Sequence, residues 1–350
     1  MKFMLVLFLA ASSLTTAAQQ ILSVGQDFTD NVTSFSDLQS AIDAANPNDW
    51  IYVYPGNYES IVVNKPVRLT GVGYYLLDNY DIEPDRSAHA TLSGLLSVES
   101  TGSGAIIESL AIGNVEITDA SNVFLRRCHV GGYMNLSNTS NVIISSSYFR
   151  TSSVLYDASP YVVSGTTQAL FENCVFNPAY KSCNYGCTRL YYAFGANGGT
   201  HNLVFERCIF TLSPRFVRGT GQLTFSDCIF YRQGNAVGTP SSGADYTSAY
   251  TNNISVSSRP SGGSNIDNVD HTSIFASTSN LSFDAGFQLA PDSPAKGSAG
   301  DGGDCGVFDG ANPYILSGVP ELPLIYRIEA DRGASTQQGL PVNIKVRTQN

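Results

Sequence analysis

Apolar positions in this chain recur in pairs two residues apart, and the same double pair is written several times over. NLVFERCIF at Asn202–Phe210 is followed by QLTFSDCIF at Gln222–Phe230. Aligning on the cysteine adds QALFENCVF at Gln168–Phe176, NVIISSSYF at Asn141–Phe149, NVFLRRCHV at Asn122–Val130 and the weaker GAIIESLAI at Gly104–Ile112. Four columns are always apolar or small. They run through Val123, Val142, Ala169, Leu203 and Leu223; Leu125, Ile144, Phe171, Phe205 and Phe225; Cys128, Ser147, Cys174, Cys208 and Cys228; Val130, Phe149, Phe176, Phe210 and Phe230. Spacing of two is the period of a strand whose alternate side chains face one way. Between the pairs lie two polar positions, such as Arg126-Arg127 and Glu206-Arg207, which predict a bend joining two short strands. One such unit cannot bury its own apolar face. Stacked in parallel, successive units bury it as a continuous core, so a repeat near 20 residues predicts a solenoid.

Taken in order, the chain opens with a lysine, an apolar run over Phe3–Ala11 and small residues ending at Ala18. Residues 1–18 are expected to be a secretory signal peptide, too short to span a bilayer. Ser36-Asp-Leu-Gln39 fits a capping box ahead of an apolar helical face of Leu38, Ala41, Ile42 and Ala45. Such a helix would plug the open end of a solenoid core. Strands are expected in Trp50–Tyr58, turning at Pro55-Gly56, and in Ile61–Gly71, broken at Pro66. Residues 74–103 read as irregular, with an acidic tract over Asp78–Asp85. The steps between later repeats lengthen, which implies excursions after one strand at 150–167, 177–200, 211–221 and beyond Phe230. In-register repeats would gather those loops on one side, where repeat scaffolds bind. Residues 233–275 read as polar loops crossing one irregular repeat. An apolar pattern resumes at Ile274-Phe275, Phe283 and Phe287–Leu289.

Two segments carry a resemblance. The helix running into Asp49, Ile51, Val53, Pro55, Gly56 and Tyr58 resembles the start of secreted right-handed parallel β-helix proteins, the pectate-lyase-like superfamily. Asp292–Phe308, rich in alternating Gly and Asp, resembles the segment that ends many secreted bacterial members. The tail from Pro313 more loosely resembles surface proteins of Bacteroidota-type bacteria. The resemblance implies an all-β, right-handed parallel β-helix over 19–312, with an N-terminal capping α-helix and a short C-terminal β extension or cap over 313–350. It also brings polysaccharide chemistry into view, although a fold by itself warrants no function. The blocks of the superfamily's inverting hydrolases, the calcium-binding acidic clusters of its lyases and the paired aspartates of its esterases are all missing from this sequence.

Composition narrows the partners. A formal net charge of −10 with no basic run does not suit nucleic acid or anionic lipid. Export permits disulfides, and Cys183 and Cys187, flanking a tight loop, are the candidate pair; seven cysteines leave at least one unpaired. The stacked cysteines read as core packing rather than metal ligands. Asp292–Asp304 reads as turn chemistry, so no cofactor or metal is assigned, and calcium is unsupported.

Arginine and tyrosine gather around the excursions. Arg150, Tyr156, Arg189, Tyr191, Arg215, Arg218, Tyr231 and Arg232 are the candidate ligand-binding residues. Guanidinium groups grip carboxylates bidentately and tyrosine faces stack on sugar rings. The plainer alternative is that these side chains cover the loops' own small cores. His129 and Tyr148 share an outward column beside Arg127, and supply the base and cation that a β-eliminating lyase would need. A lone histidine on a solenoid face is more often a bystander. Asp227 and Glu206 beside Arg207 read as a rung-to-rung ion pair. The leading expectation is an exported, secreted or outer-surface protein without catalysis, binding an acidic polysaccharide or a cell-surface protein through its loop face. A lyase acting on uronate glycans and a purely structural surface module are the alternatives.

Overall fold

The computed structural model describes residues 19–79, 89–150, 161–177, 194–211, 219–231, 244–257, 263–276, 283–321, 324–330 and 342–347. These build a parallel β-helix. One sheet of 11 strands runs the length of the solenoid, from Ser34–Phe35 and Ile21–Val24 through Phe124–Arg126 and Thr200–Glu206 to Ala244–Thr251, every neighbour parallel. A second sheet of 13 strands makes the other two sides, with Ala111–Thr118 pairing both His129–Val130 and Met134–Ser137. A rung is therefore a long-sheet strand, a bend, a short strand, a turn or excursion, and a third strand. Rungs stack at about 4.8 Å.

The predicted interior columns stand in register. Phe171 pairs with Phe205, and Phe205 with Phe225. Their rings lie 4.8 and 4.9 Å apart and nearly parallel, and Tyr250 extends the pile at 5.1 Å. Phe149, Phe176, Phe210 and Phe230 form a second pile at 4.9, 5.0 and 5.1 Å. Cys128, Ser147, Cys174, Cys208 and Cys228 are all fully buried. Burying each phenylalanine contributes about 1.5–3 kcal/mol, so these piles dominate the core.

The polar pairs are the predicted bends, and the structure shows how they turn. The second member of each pair is left-handed: Ser109, Arg127, Ser146, Asn173, Arg207, Asp227 and Asn252 all have φ between 47° and 60°. That conformation swings the chain from the long sheet into the short strand. It also points one polar side chain per rung outward along a single seam.

Several expectations change. The helix is Leu38–Ala44, but its cap is Asp37, whose carboxylate accepts from Ser40 N at 2.7 Å. Ser36 is occupied by Asp30, to which it donates through both N–H and hydroxyl. Residues 74–103 are not irregular throughout: Ala90–Val98 is a nine-residue strand burying Leu92, Leu96 and Val98. Its serines and glycine had diluted the alternation. Residues 244–255 complete a regular rung, with Ala244–Thr251 pairing Gly219–Ser226 throughout. Among the described residues of the tail, Leu324–Ala330 pairs antiparallel with Val342–Arg347.

Candidate functional site

Residues 283–321 lie along the bend seam as a strap, running back from the last rungs towards the first. Gly306 N donates to Asp227 O at 2.9 Å and Gly300 N to Asp227 Oδ1 at 2.9 Å. Arg207 donates to Asp301 Oδ2 at 2.6 Å and to Asp304 O at 3.1 Å. Asn173 Nδ2 reaches the carbonyls of Val307 and Asp309, both at 2.8 Å. Ser146 donates to Asn312 O at 3.0 Å, and Arg127 to Glu321 Oε1 at 2.7 Å. The expected rung-to-rung pair is present but long, with Arg207 3.9 Å from Asp227, and the shorter contact is to Asp301 on the strap. Three acidic groups outweigh the cost of burying Arg207 and hold its guanidinium above the ordinary value.

Glycine lets the strap lie close. A Cβ on Gly306 (φ +91°) would meet Ile229 Cδ1 at 2.7 Å, and one on Gly318 (φ +55°) would collide with the Arg127 carbonyl. The aspartates of this segment serve turns: Asp304 Oδ1 accepts from Gly297 N, and Asp309 from Asp304 N and Gly310 N. Beneath the strap is a second apolar layer. Tyr148, Val175, Ile209, Ile229 and Ile254 on the short strands' outer face pack against Ile274, Phe275, Phe287, Val307 and Tyr314. A cavity of about 250 Å³ opens in this layer, with Ile209, Phe287, Leu289 and Phe308 as walls and Lys296 and Asp304 as its charged members.

The candidate pair His129 and Tyr148 sits at the far end of that layer. Their backbones are register partners and their rings stack at 5.7 Å. Tyr74 and Tyr75 close in at 5.5 and 5.1 Å from the imidazole, and Tyr75 Oη lies 3.4 Å from His129 Nε2. Burial first, and then the neighbouring Arg150 charge, push the imidazole down to about 4, so it is neutral at pH 7. Tyr148 has no exposed surface and its hydroxyl accepts from Asn177 Nδ2 at 2.9 Å. Burial raises its phenol above the ordinary value, which keeps it protonated and withholds the phenolate that would act as a base. Behind the pair, Asp284 is fully buried yet accepts from Ser317 N, Asn79 Nδ2, Ala285 N and the Tyr314 hydroxyl. Burial raises its carboxyl despite those bonds.

Arg127 does not join this group; its left-handed backbone aims it at Glu321. Arg150 does join it, bonding the Tyr75 hydroxyl and bearing on His129. Tyr75, Asn177 and Asp284 had no sequence signal, because nothing in the repeat alignment places the 74–79 turn over the short strands. Of the candidate ligand-binding residues, Arg150 and Tyr231 are described; Tyr156, Arg189, Tyr191, Arg215, Arg218 and Arg232 lie outside the described residues, as do Cys183 and Cys187. Arg150 and Tyr231 occupy one column with Asn177 and Thr211 between them. Their backbone N–H groups donate to Val130, Phe149, Phe176 and Phe210 in turn, at 2.8–3.0 Å. That column is where each excursion leaves its rung.

Fold and site together define a parallel β-helix protein with one outer side sealed by its own C-terminal segment. No family model matches the chain, and no curated protein sequence matches it. Among solved structures, a chain titled rhamnogalacturonan lyase overlaps 79% of this chain and 96% of its own length, at 10% identity and a TM-score of 0.42. So loose an overlap bears on neither activity nor substrate; the strand pairing carries the fold. No helix among the described residues is long and apolar enough to cross a membrane.

Proposed function

We propose that this chain is an exported, non-catalytic β-helix protein that holds an acidic glycan along the edge where its excursions leave the solenoid. The observation that carries this reading is the in-register column of Arg150, Asn177, Thr211 and Tyr231. Four loop roots on successive rungs share one line. Thr211 donates to Asn177 Oδ1 at 3.0 Å, so the polar side chains between them form a continuous edge. Arg150 at one end, shared with the Tyr75 hydroxyl, and Tyr231 at the other, backed by Phe275, supply a carboxylate grip and the outer face of a ring about 14 Å apart, three rungs at the usual spacing. The arginines and tyrosines of the intervening loop sequences add the same chemistry.

The test is retention on polygalacturonate and other uronate polysaccharides. Wild type should be retained, and Arg150→Ala with Arg215→Ala and Arg218→Ala should elute freely with unchanged melting. Equal retention of the two would sink the reading. A lyase is the second reading, favoured by Arg150 and Tyr75 meeting His129. It requires unsaturated product to appear from the same panel, with or without calcium, and to vanish in His129→Ala or Tyr148→Phe. The account expects no product, since one ring is fully buried and the other is walled by tyrosines.

A further inference from the structure

The outer face of the long sheet carries a column that packing does not account for. Ile106, Phe124, Ile143, Leu170 and Val204 are register partners on five successive rungs, and all point outward. Each keeps part of its surface in water, whereas the flanking Ile107, Leu125, Ile144, Phe171 and Phe205 are fully buried. On a face that meets solvent, strand alternation ordinarily puts polar residues at such positions. Five large apolar side chains in one straight line form a half-buried stripe that still meets solvent, and apolar stripes left open in this way mark interaction surfaces.

The stripe's borders say what it fits. On one side lie exposed amides: Gln168, Asn202 and Gln222 are register partners, and Asn141 donates to Asn122 Oδ1 at 2.6 Å in line with them. On the other side the charges are either spent or acidic. Arg126 on that border, and Arg68 at the end of the stripe in register with Ile106, both donate to Glu108 at 2.6 Å, while Glu172 and Glu206 are neighbours in register. Beyond Arg68, which lies 4.1 Å over the Trp50 ring, Trp50 and Tyr52 stack at 4.8 Å.

We propose that this face binds an extended, neutral polysaccharide lying along the solenoid axis. The apolar stripe takes the C–H faces of the sugar rings, and the amide row exchanges hydrogen bonds with their hydroxyls. Rungs repeat at about 4.8 Å, close to the advance of one sugar in an extended chain, so each rung meets an equivalent unit. Glu172 and Glu206, with no unpaired arginine beside them among the described residues, disfavour a uronate, which separates this surface from the loop edge. The two surfaces lie on different sides and do not depend on each other.

The experiment is affinity electrophoresis and calorimetry with neutral β-glucan, xylan and mannan oligosaccharides of increasing length, with polygalacturonate alongside. Wild type should bind at least one neutral series with affinity that rises with chain length. Leu170→Ser with Phe124→Ser should weaken it by roughly tenfold or more, equivalent to about 1.4 kcal/mol, in a variant that still unfolds in one cooperative transition. Retention on polygalacturonate should survive those substitutions and be lost only in the Arg150, Arg215 and Arg218 variant. No binding to any neutral series, or binding indifferent to the double substitution, overturns the proposal. So does a wild type that elutes as a dimer and a Leu170→Glu variant that elutes as a monomer, since the stripe would then belong to a second copy.

Discussion

The two outer faces of this solenoid are made from the same repeat and treated in opposite ways. On the short-strand side the outward positions Tyr148, Val175, Ile209, Ile229 and Ile254 are apolar and sealed under residues 263–276 and 283–321. On the long-sheet side the outward positions Ile106, Phe124, Ile143, Leu170 and Val204 are equally apolar and remain partly in water. An apolar column in a repeat therefore does not tell which way it faces or what covers it. What decides the matter is the seam between the faces, where one left-handed residue per rung offers a side chain to the strap. The strap lies down where those groups are.

The comparison breaks first at its most buried point. Ile209→Ala should cost about 3–4 kcal/mol in urea unfolding, because it opens a cavity in a layer that cannot collapse. Arg207→Ala should cost about 2–3 kcal/mol, since Asp301 and Asp309 on the strap lose their partner and Asp227 is left nine-tenths buried. Acidification should follow. His129 titrates near 6.5 when unfolded and near 4 when folded, so the unfolded chain takes up the proton first. Its contribution is intact above 6.5 and falls as pH drops to 4, by about 3 kcal/mol. Urea titrations of His129→Gln should show a flatter slope across that window. Glu108, held below its ordinary value by Arg126 and Arg68 against the cost of burial, adds acid sensitivity only at the lower end. The smallest effect belongs to the part-open face: Leu170→Ser should cost about 1 kcal/mol.

How much of this was legible follows from what a period of two can say. It sorts inward from outward within a strand, so the phenylalanine and cysteine ladders and the positions of the bends came straight from the alignment. It is silent about the outward set. The stripe of Ile106, Phe124, Ile143, Leu170 and Val204 stood unremarked between two columns that were plainly core. His129 and Tyr148 fell in one column and do stack, whereas Arg127 looked like their neighbour and is not. Its positive φ, invisible in a polar pair, turns it to Glu321 and leaves Arg150 to approach His129. The Gly-Asp run of the strap was legible as turns, but its partners lie far away in the chain, and no local pattern names them.

The central claim is that one apolar outer column is sealed by the chain's own C-terminal strap while its counterpart is open. Hydroxyl-radical footprinting of the intact protein, read by mass spectrometry, tests it directly. Phe124, Leu170 and Trp50 should be oxidised readily, with Tyr148, Ile209 and Phe287 protected. Oxidation of Ile209 and Tyr148 as fast as Phe124 would contradict the account.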